Sequence, residues 1–233
     1  FQRLSAFSAD IAHELRTPLS NLLTHTQVTL TRPRPIEDYR EALHSNLEEL
    51  QWMAQLVNDM LYLAKADHGL LIPKREPLEL ADETDVLLEF FAPLAEDAGV
   101  KLSREGNARI AGDRSMLRRA LSNLLDNALA FVRNQPDGAV LISAEFSGAE
   151  LVIRLHNNGP ALEAALTDTL FRPFVSKRAG GSGLGLAIVQ RIIHAHQGQI
   201  RHRSDLGWPV SFEIRLPHPA DAQSNTQTQE VAP

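Results

Sequence analysis

A seven-residue apolar repeat in the first third of the chain constrains the fold more than any other sequence feature. The repeating residues are Ile36, Leu43, Leu50, Val57 and Ala64, with Leu47, Ala54 and Leu61 at the companion position and Leu56, Met60 and Leu63 widening the stripe. This period predicts a helix that continues to about Lys65, and the stripe is wider than a two-helix seam. Residues 1–31 also carry apolar residues at helical spacing, and the prolines within 32–35 end that first helix.

Two helices with such wide apolar faces cannot bury them against each other alone. The sequence therefore predicts that residues 1–70 form an antiparallel helical hairpin, which dimerises into a four-helix bundle. An ordinary monomeric hairpin is the alternative that the pattern leaves open.

The rest of the chain has the character of a second domain. The composition shifts around 69–77, where Pro73 and Pro77 predict a linker. The patterns beyond it predict helices over 81–97, 114–133 and 185–197, strands over 140–146 and 151–156, a short hairpin over 99–111, and a strand pair formed by 199–204 and 210–216. Asp113 is the predicted N-cap of the middle helix. Residues 71–218 are therefore predicted to form an α/β sandwich, which makes the whole chain α+β, and the polar residues 219–233 to form a disordered tail.

Composition limits the classes of partner and cofactor. The 233 residues carry a formal net charge of −6, which argues against a broad nucleic-acid-binding surface. The chain has no cysteine, so disulfides and thiolate metal sites are impossible. No run of residues approaches the roughly 18 apolar residues of a membrane span. Because the chain begins at Phe1 rather than at methionine, we expect a fragment, and a membrane-spanning region upstream remains compatible with it.

His13 stands in the sequence His-Glu-Leu-Arg-Thr-Pro, inside the first predicted helix. His13 and Thr17 are four residues apart and share a helical face, and Glu14 directly follows the histidine. Pro18 cannot donate a hydrogen bond to the carbonyl of Glu14, so we expect the helix to bend beside His13. A histidine with an adjacent carboxylate is typical of a nucleophile with a base, whereas an ordinary surface histidine is the alternative interpretation.

Three polar clusters follow in the second domain. Asn123 and Asn127 share one face of a predicted helix, and their amide oxygens are ligands that Mg²⁺ accepts. The sequence Asn-Asn-Gly-Pro over 157–160 follows a predicted strand, and the glycine run over 180–185 precedes a helix whose N-terminus could face phosphate. A polar helix face, a simple turn and a flexible hinge are the respective alternatives.

Taken together, the motifs resemble those of the sensor histidine kinases. The matching segments are His-Glu-Leu-Arg-Thr-Pro, Asn-Leu-Leu-Asp-Asn-Ala, Asn-Gly-Pro, Leu-Phe-Arg-Pro-Phe and Gly-Ser-Gly-Leu-Gly-Leu-Ala, in the order and spacing of that family. The resemblance covers residues 1–217, and segments 7–19, 45–50 and 118–127 are similar to the heavy-metal (copper or silver) branch. It implies a C-terminal sandwich of the histidine-kinase, Hsp90 and gyrase ATPase type. It also implies a dimeric, membrane-associated phosphoprotein of a two-component signal transduction system, with ATP and Mg²⁺ as cofactors.

The resemblance also implies roles for the residues around the histidine. His13 would attack the γ-phosphate of ATP through Nε2, and Glu14 would accept or orient the proton on Nδ1. Thr17 would position the water that dephosphorylates the partner response regulator. The expected partners are a cognate response regulator, through an aspartate that receives the phosphoryl group, and a second copy of the chain. No nucleic acid is expected, and the membrane would be reached only through upstream segments. The implied location is the cytoplasmic portion of a bacterial inner-membrane protein.

The nucleotide site implied by the resemblance uses the three polar clusters. Asn127 would ligate Mg²⁺ and Asn123 would support the site, while Asn157 and Gly159 belong to the first glycine box. The glycines of the ATP lid are Gly181, Gly183 and Gly185, with Phe171 and Phe174 at the base of the lid. Lys177 or Arg178 would supply a basic phosphate contact, and ordinary solvated lid residues are the alternative interpretation.

Three positions depart from the family pattern. The family commonly has aspartate where Asn157 stands, glycine at Ala161 and a basic residue at Ala130, which predicts weaker but real ATP binding. A non-catalytic dimeric scaffold and an ATPase of the gyrase, chaperone and mismatch-repair superfamily are the alternative functions.

Overall fold

A computed structural model describes residues 2–133, 135–176, 181–204 and 207–217. The chain consists of two compact units. The first unit comprises Phe1–His68 with Arg172–Leu184, and the second comprises Gly69–Phe171 with Gly185–Pro233. None of the helices among the described residues is both long enough and apolar enough to span a bilayer.

The first unit contains a helical hairpin, as the apolar spacing predicted. Helix α1 spans Gln2–Leu30, with Pro18 inside it, and helix α2 spans Ile36–Asp67. Glu37 and Asp38 in the first turn of α2 and Lys65 in its last turn complement the helix dipole. In the connection, the Arg34 guanidinium donates a hydrogen bond of 3.1 Å to the carbonyl of Val28, which closes the end of α1.

The two apolar faces of α2 have different environments. Leu56, Met60 and Leu63 are buried, whereas most of the heptad positions are exposed to solvent in the single chain. The exposed apolar residues of the repeat are Ile36, Leu43, Leu47, Leu50, Val57 and Leu61. In the single chain these residues are therefore not covered, and they are the residues predicted to form the core of a four-helix bundle.

The second unit is a mixed sheet covered by helices. Its helices are α3 (Leu80–Asp97), α4 (Arg114–Val132), α5 (Ala164–Thr167) and α6 (Gly185–Ala195), and its strands are β1 (Glu76–Glu79), β2 (Lys101–Glu105), β3 (Arg109–Gly112), β4 (Ala139–Ser147), β5 (Glu150–Asn157), β6 (Gln199–Arg203) and β7 (Val210–Pro217). Five strands form one sheet in the order β2-β4-β5-β7-β6, and β1 pairs with β3 in a separate ribbon. This is the α+β architecture predicted for the chain.

The core of the second unit lies between the sheet and helices α4 and α6. Alternate residues of β5 point to the same face, and Leu151, Ile153 and Leu155 on that face are almost completely buried. Leu124 of α4 and Ile192 of α6 have no measurable exposure. Burial of several such side chains, at about 1.5–3 kcal/mol each, holds the two helices on the sheet.

The predicted hairpin over 99–111 is wrong. β2 pairs in parallel with β4, and β3 pairs antiparallel with β1. Between β2 and β3, Gly106 has φ +76°, and a Cβ there would clash with the carbonyl oxygen of Ala144 in β4. The turn at Gly106 therefore packs closely against β4, and β2 and β3 diverge instead of pairing with each other. The predicted linker is also shorter than expected, because β1 begins at Glu76.

Asp113 connects three segments of the second unit. Its carboxylate accepts hydrogen bonds from the backbone N–H of Met116 at 3.0 Å, which confirms the predicted N-cap, and from the N–H of Lys74 at 2.9 Å. Its own N–H donates to Nε2 of His196 at 3.0 Å, and Nδ1 of that ring lies 2.8 Å from the carbonyl oxygen of Ile192. The contacts require a neutral imidazole with its proton on Nδ1. Burial lowers the pKa of His196.

We expect acid to destabilise the second unit through His196. Since its pKa in the folded protein is lowered from 6.5, its contribution to the free energy of unfolding is complete above pH 6.5 and is lost as pH falls towards the folded value. His196→Gln should show a shallower loss of stability between pH 7.5 and 5.5 than the wild type in urea unfolding. His44→Ala, which changes an exposed histidine of α2, is the control and should follow the wild type. Equal slopes for His196→Gln and wild type would contradict the assignment.

Candidate functional site

The residues around His13 lie on one helix of the first unit. His13 is in α1, and its side chain lies outside the described residues; Glu14 is half-buried and Thr17 is exposed. A cleft of about 570 Å³ is lined by Glu14, Thr17, Pro18, Asn21, Glu48, Glu49, Trp52 and Gly181. The structure thus brings Glu14, Thr17 and Gly181 to one cleft. Trp52 also lines this cleft and could not be identified from the sequence, because an aromatic residue on a helix such as α2 is usually part of a core.

The two asparagines of α4 face the beginning of α6. Nδ2 of Asn123 donates a hydrogen bond of 3.4 Å to the carbonyl oxygen of Gly185. A Cβ built on Gly185 would lie 3.9 Å from Cβ of Asn123 and 4.0 Å from Nδ2 of Asn127. Both asparagines are half-buried. The structure therefore brings together Asn123, Asn127 and Gly185, although Asn123 and Gly185 are 62 residues apart in the sequence.

Asn157 ends β5 in an unusual environment. The residue is only 2% exposed, and its Nδ2 has no hydrogen-bond partner among the described residues. Asn158 instead uses its amide for the turn: Oδ1 accepts from the N–H of Ala139, and Nδ2 donates to the carbonyl of Asp137, both at 2.8 Å. The two neighbours therefore differ: Asn158 stabilises the turn, whereas Nδ2 of Asn157 has no partner among the described residues.

Gly159 lies directly beside the Asn157 amide. A Cβ at Gly159 would lie 2.8 Å from Nδ2 of Asn157 and 3.0 Å from the carbonyl oxygen of Phe131. A side chain at this position would therefore have to displace the Asn157 amide and would crowd the Phe131 carbonyl, which glycine avoids.

At the base of the predicted lid, within the first unit, the backbone of Gly183 lies close to the backbone of Phe174. Gly183 has φ +66°, and a Cβ there would lie 2.7 Å from the carbonyl carbon of Phe174. Phe174 itself has φ +63°. Within the second unit, Phe171 packs edge-on against Phe212 with ring centroids 6.3 Å apart. The predicted phosphate contacts Lys177 and Arg178 lie outside the described residues.

The donor set of the second unit fits a nucleotide with a hard divalent cation. The N-terminus of α6 offers backbone N–H groups and a positive dipole to phosphate, and the neighbouring amide oxygens suit Mg²⁺, which retains water ligands. Among the described residues there is no group of three or more His, Asp or Glu side chains that could hold a metal ion alone.

Two segments of the chain match known protein families. Residues 3–69 match the His Kinase A (phospho-acceptor) domain. Residues 112–220 match the family of histidine kinase-, DNA gyrase B- and HSP90-like ATPases. An acceptor domain followed by an ATPase domain defines the catalytic core of a histidine kinase.

Individual relatives agree with this class. The sensor histidine kinase CusS of Escherichia coli O6:H1 is 45% identical over 225 residues, which cover 93% of this chain and 46% of CusS. The histidine kinase AdeS of Acinetobacter baumannii has a TM-score of 0.72 at 25% identity, covering 88% of this chain and 97% of that one. Full-length ShkA, solved in complex with AMPPNP, has a TM-score of 0.68 at 25% identity, covering 90% of this chain and 45% of that one.

The chain belongs to the sensor histidine kinases, and its similarity to CusS agrees with the predicted heavy-metal branch. It spans about half the length of the curated relatives it matches.

Proposed function

We propose that this chain is the catalytic core of a sensor histidine kinase, which phosphorylates His13 from ATP and passes the phosphoryl group to an aspartate of a response regulator. The observation that carries the proposal is the presence in one chain of a phospho-acceptor domain containing His13 and an ATPase-type domain with Asn123, Asn127 and Gly185 in contact distance. The complex of ShkA with an ATP analogue supports ATP as the nucleotide.

In the proposed reaction, Nε2 of His13 forms a bond to the γ-phosphorus as the bond from that phosphorus to the β–γ bridging oxygen breaks and ADP leaves. Glu14 holds the proton on Nδ1, so that Nε2 keeps its lone pair. Thr17, exposed one turn further along α1, would orient water for dephosphorylation of the response regulator. Phosphoryl transfer depends mainly on positioning and charge stabilisation, so few protein groups are needed.

We propose that the nucleotide site includes an amide cluster, which consists of Asn123, Asn127 and Asn157 beside Gly159 and Gly185, together with the lid. Asn127 would hold Mg²⁺, which neutralises phosphate charge, and Asn123 would keep the beginning of α6 in place through Gly185. Asn157 and Gly159 would contact the nucleobase. For the lid, we propose that Gly181 and Gly183 allow the backbone to approach phosphate and that Lys177 adds a positive charge.

We further propose the domain limits 1–70 for dimerisation and phosphotransfer, 71–218 for ATP binding and 219–233 for the tail. The proposed location is the cytoplasmic side of a bacterial inner membrane, reached through upstream segments. Its relative CusS is a sensor histidine kinase of Escherichia coli, which supports the bacterial part of this proposal. A role restricted to an ATPase of the gyrase type would not account for residues 3–69, which match the phospho-acceptor domain.

The test of the proposed function is incubation of the chain with γ-labelled ATP and Mg²⁺. We expect label on the protein that is stable in alkali and labile in acid, as phosphohistidine is. If ATP binds and no such label forms, the non-catalytic scaffold is the correct interpretation. If ATP does not bind in the millimolar range, the nucleotide assignment is also wrong.

The exposed heptad stripe on α2 predicts a homodimer. Leu50 is 53% exposed in the single chain and would be buried in a four-helix bundle, so Leu50→Lys should place two charges in the seam and weaken dimerisation by at least about tenfold. Sedimentation equilibrium measures the dissociation constant. Leu70→Lys is the matched control, because Leu70 is 66% exposed and lies outside the repeat. Unchanged dimerisation of Leu50→Lys would show that the repeat is not the dimer interface, and a wild type that does not dimerise would favour the monomeric hairpin.

A further inference from the structure

An uncovered apolar stripe on α1 is interrupted by one polar residue. Leu19, Leu23, Thr26 and Leu30 form this α1 stripe, and they are spaced as in a coiled-coil seam. The three leucines are 50%, 56% and 71% exposed in the single chain, in that order, and Thr26 is exposed as well. A hydroxyl group therefore lies in a row of leucines that the helix of a second chain would cover.

A polar residue of α2 interrupts an apolar series in the same way, and it contacts Thr26. Asn46 belongs to a series of residues seven positions apart whose other members are Tyr39, Met53 and Met60. Nδ2 of Asn46 donates a hydrogen bond of 3.0 Å to Oγ1 of Thr26. The polar residues of the two helices therefore lie at the same level of the hairpin and bind each other.

This contact leaves hydrogen-bonding groups for a second chain. An amide has two N–H groups and the contact uses one of them, while Thr26 takes part as an acceptor and keeps its hydroxyl proton. Oδ1 of Asn46 lies 3.4 Å from Nδ1 of His25, an exposed residue of α1. In a two-fold dimer whose seam includes the α1 stripe and the repeat of α2, Thr26 and Asn46 of both chains come to one level. The remaining N–H and hydroxyl groups then have polar partners on the second copy.

We propose that the contact between Thr26 and Asn46 selects the dimer partner, which is a second copy of this chain with the same polar pair at the same level. The inference rests on the proposed homodimer and deepens it. Rows of leucine pack against many apolar stripes, so they discriminate little between partners. A polar residue at a seam position does discriminate, because a partner with apolar side chains at that level leaves buried polar groups unpaired.

The test pairs the wild type with the double variant Thr26→Val and Asn46→Leu, in which the polar pair is apolar. Equal amounts of the two full chains, one of them isotopically labelled, are unfolded together, refolded and measured by native mass spectrometry. Random pairing makes heterodimers about half of all dimers. We expect heterodimers to be depleted at least about threefold, while each chain forms homodimers. Thr24→Val, the same change at an exposed threonine outside the α1 stripe, is the control and should pair randomly with the wild type.

The outcomes separate the inference from the function beneath it. Heterodimers at the random share would overturn the selection, and acid-labile label on the wild type would still support the kinase assignment. A wild type that forms no dimer would overturn the inference and the homodimer together. Depleted heterodimers without label on the wild type would support the inference and contradict the kinase assignment. If the double variant does not fold, Thr26→Val alone decides by the same measurement, since valine is also β-branched and replaces only the hydroxyl group by a methyl group.

Discussion

Replacing His13 by alanine is expected to reduce incorporation of acid-labile phosphate from γ-labelled ATP to background. The side chain provides the only nitrogen that the proposed reaction phosphorylates, and no other residue of the motif can replace a nucleophile at that position. ATP binding should be unchanged, because the amide cluster is formed by β5, α4 and α6 of the second unit. The measurement is filter-bound label after alkaline washing, together with calorimetric binding of ATP.

Two variants control this result. Asn127→Ala should lose both the label and Mg·ATP binding, because it removes an amide beside Gly185 and leaves His13 intact. His44→Ala, a change at an exposed histidine of α2, should retain wild-type labelling. Full labelling of His13→Ala would show that another residue accepts the phosphoryl group and would refute the assignment.

Replacing Glu213 by alanine is expected to lower the free energy of unfolding by about 3 kcal/mol. Glu213 lies on β7 with its side chain 3% exposed, and its carboxylate accepts hydrogen bonds from Arg154 at 2.8 Å and Arg215 at 2.9 Å. Arg203 lies 3.5 Å from the same carboxylate. The Arg154 side chain is itself only 19% exposed and would retain Glu145 as a carboxylate partner, so removal of Glu213 leaves its positive charge poorly solvated and less fully paired. Urea unfolding measures the change.

Glu150→Ala is the matched control for Glu213. It also removes a carboxylate that binds Arg215, at 3.1 Å, but both side chains are substantially exposed, so the loss should stay below about 1 kcal/mol. Burial alone would raise the pKa of Glu213, and the hydrogen bonds from Arg154 and Arg215 outweigh it and hold that pKa below its usual value of 4.5. Its stabilising contribution is therefore complete above pH 4.5 and is lost as pH falls through the lower folded value. Equal losses for the two variants would contradict this account.

The sequence predicts the elements of the fold better than their pairing. The apolar periods of α1, α2, α4 and α6 are local properties, and the structure has these helices close to their predicted limits. The partner of β2 is not a local property. Two short segments separated by Gly106 suggest a hairpin, and only the approach of that turn to Ala144 shows that β2 joins β4 instead.

The candidate site was predictable in its residue types but not in its detail. Asn123 and Asn127 could be placed on one face from their spacing, while their position against Gly185 depends on how α4 and α6 pack. The sequence also presents Asn157 and Asn158 as equivalent neighbours in a turn. The alternation of β5 and the hydrogen bonds of Asn158 distinguish them, and both depend on the register with β4 and β7.

The parallel pairing of β2 with β4 has a consequence for the order of folding. During synthesis β2 emerges before its partner, and the whole of α4 lies between them. The hairpin of β4 and β5 turns through Gly148 and can form from residues that are close in sequence. β2 can pair with β4 only after β4 has formed. Contacts between distant segments slow folding, so addition of β2 is expected to be among the late steps. Until then, the outer edge of β4 is an unpaired strand edge, the kind of surface on which chains aggregate.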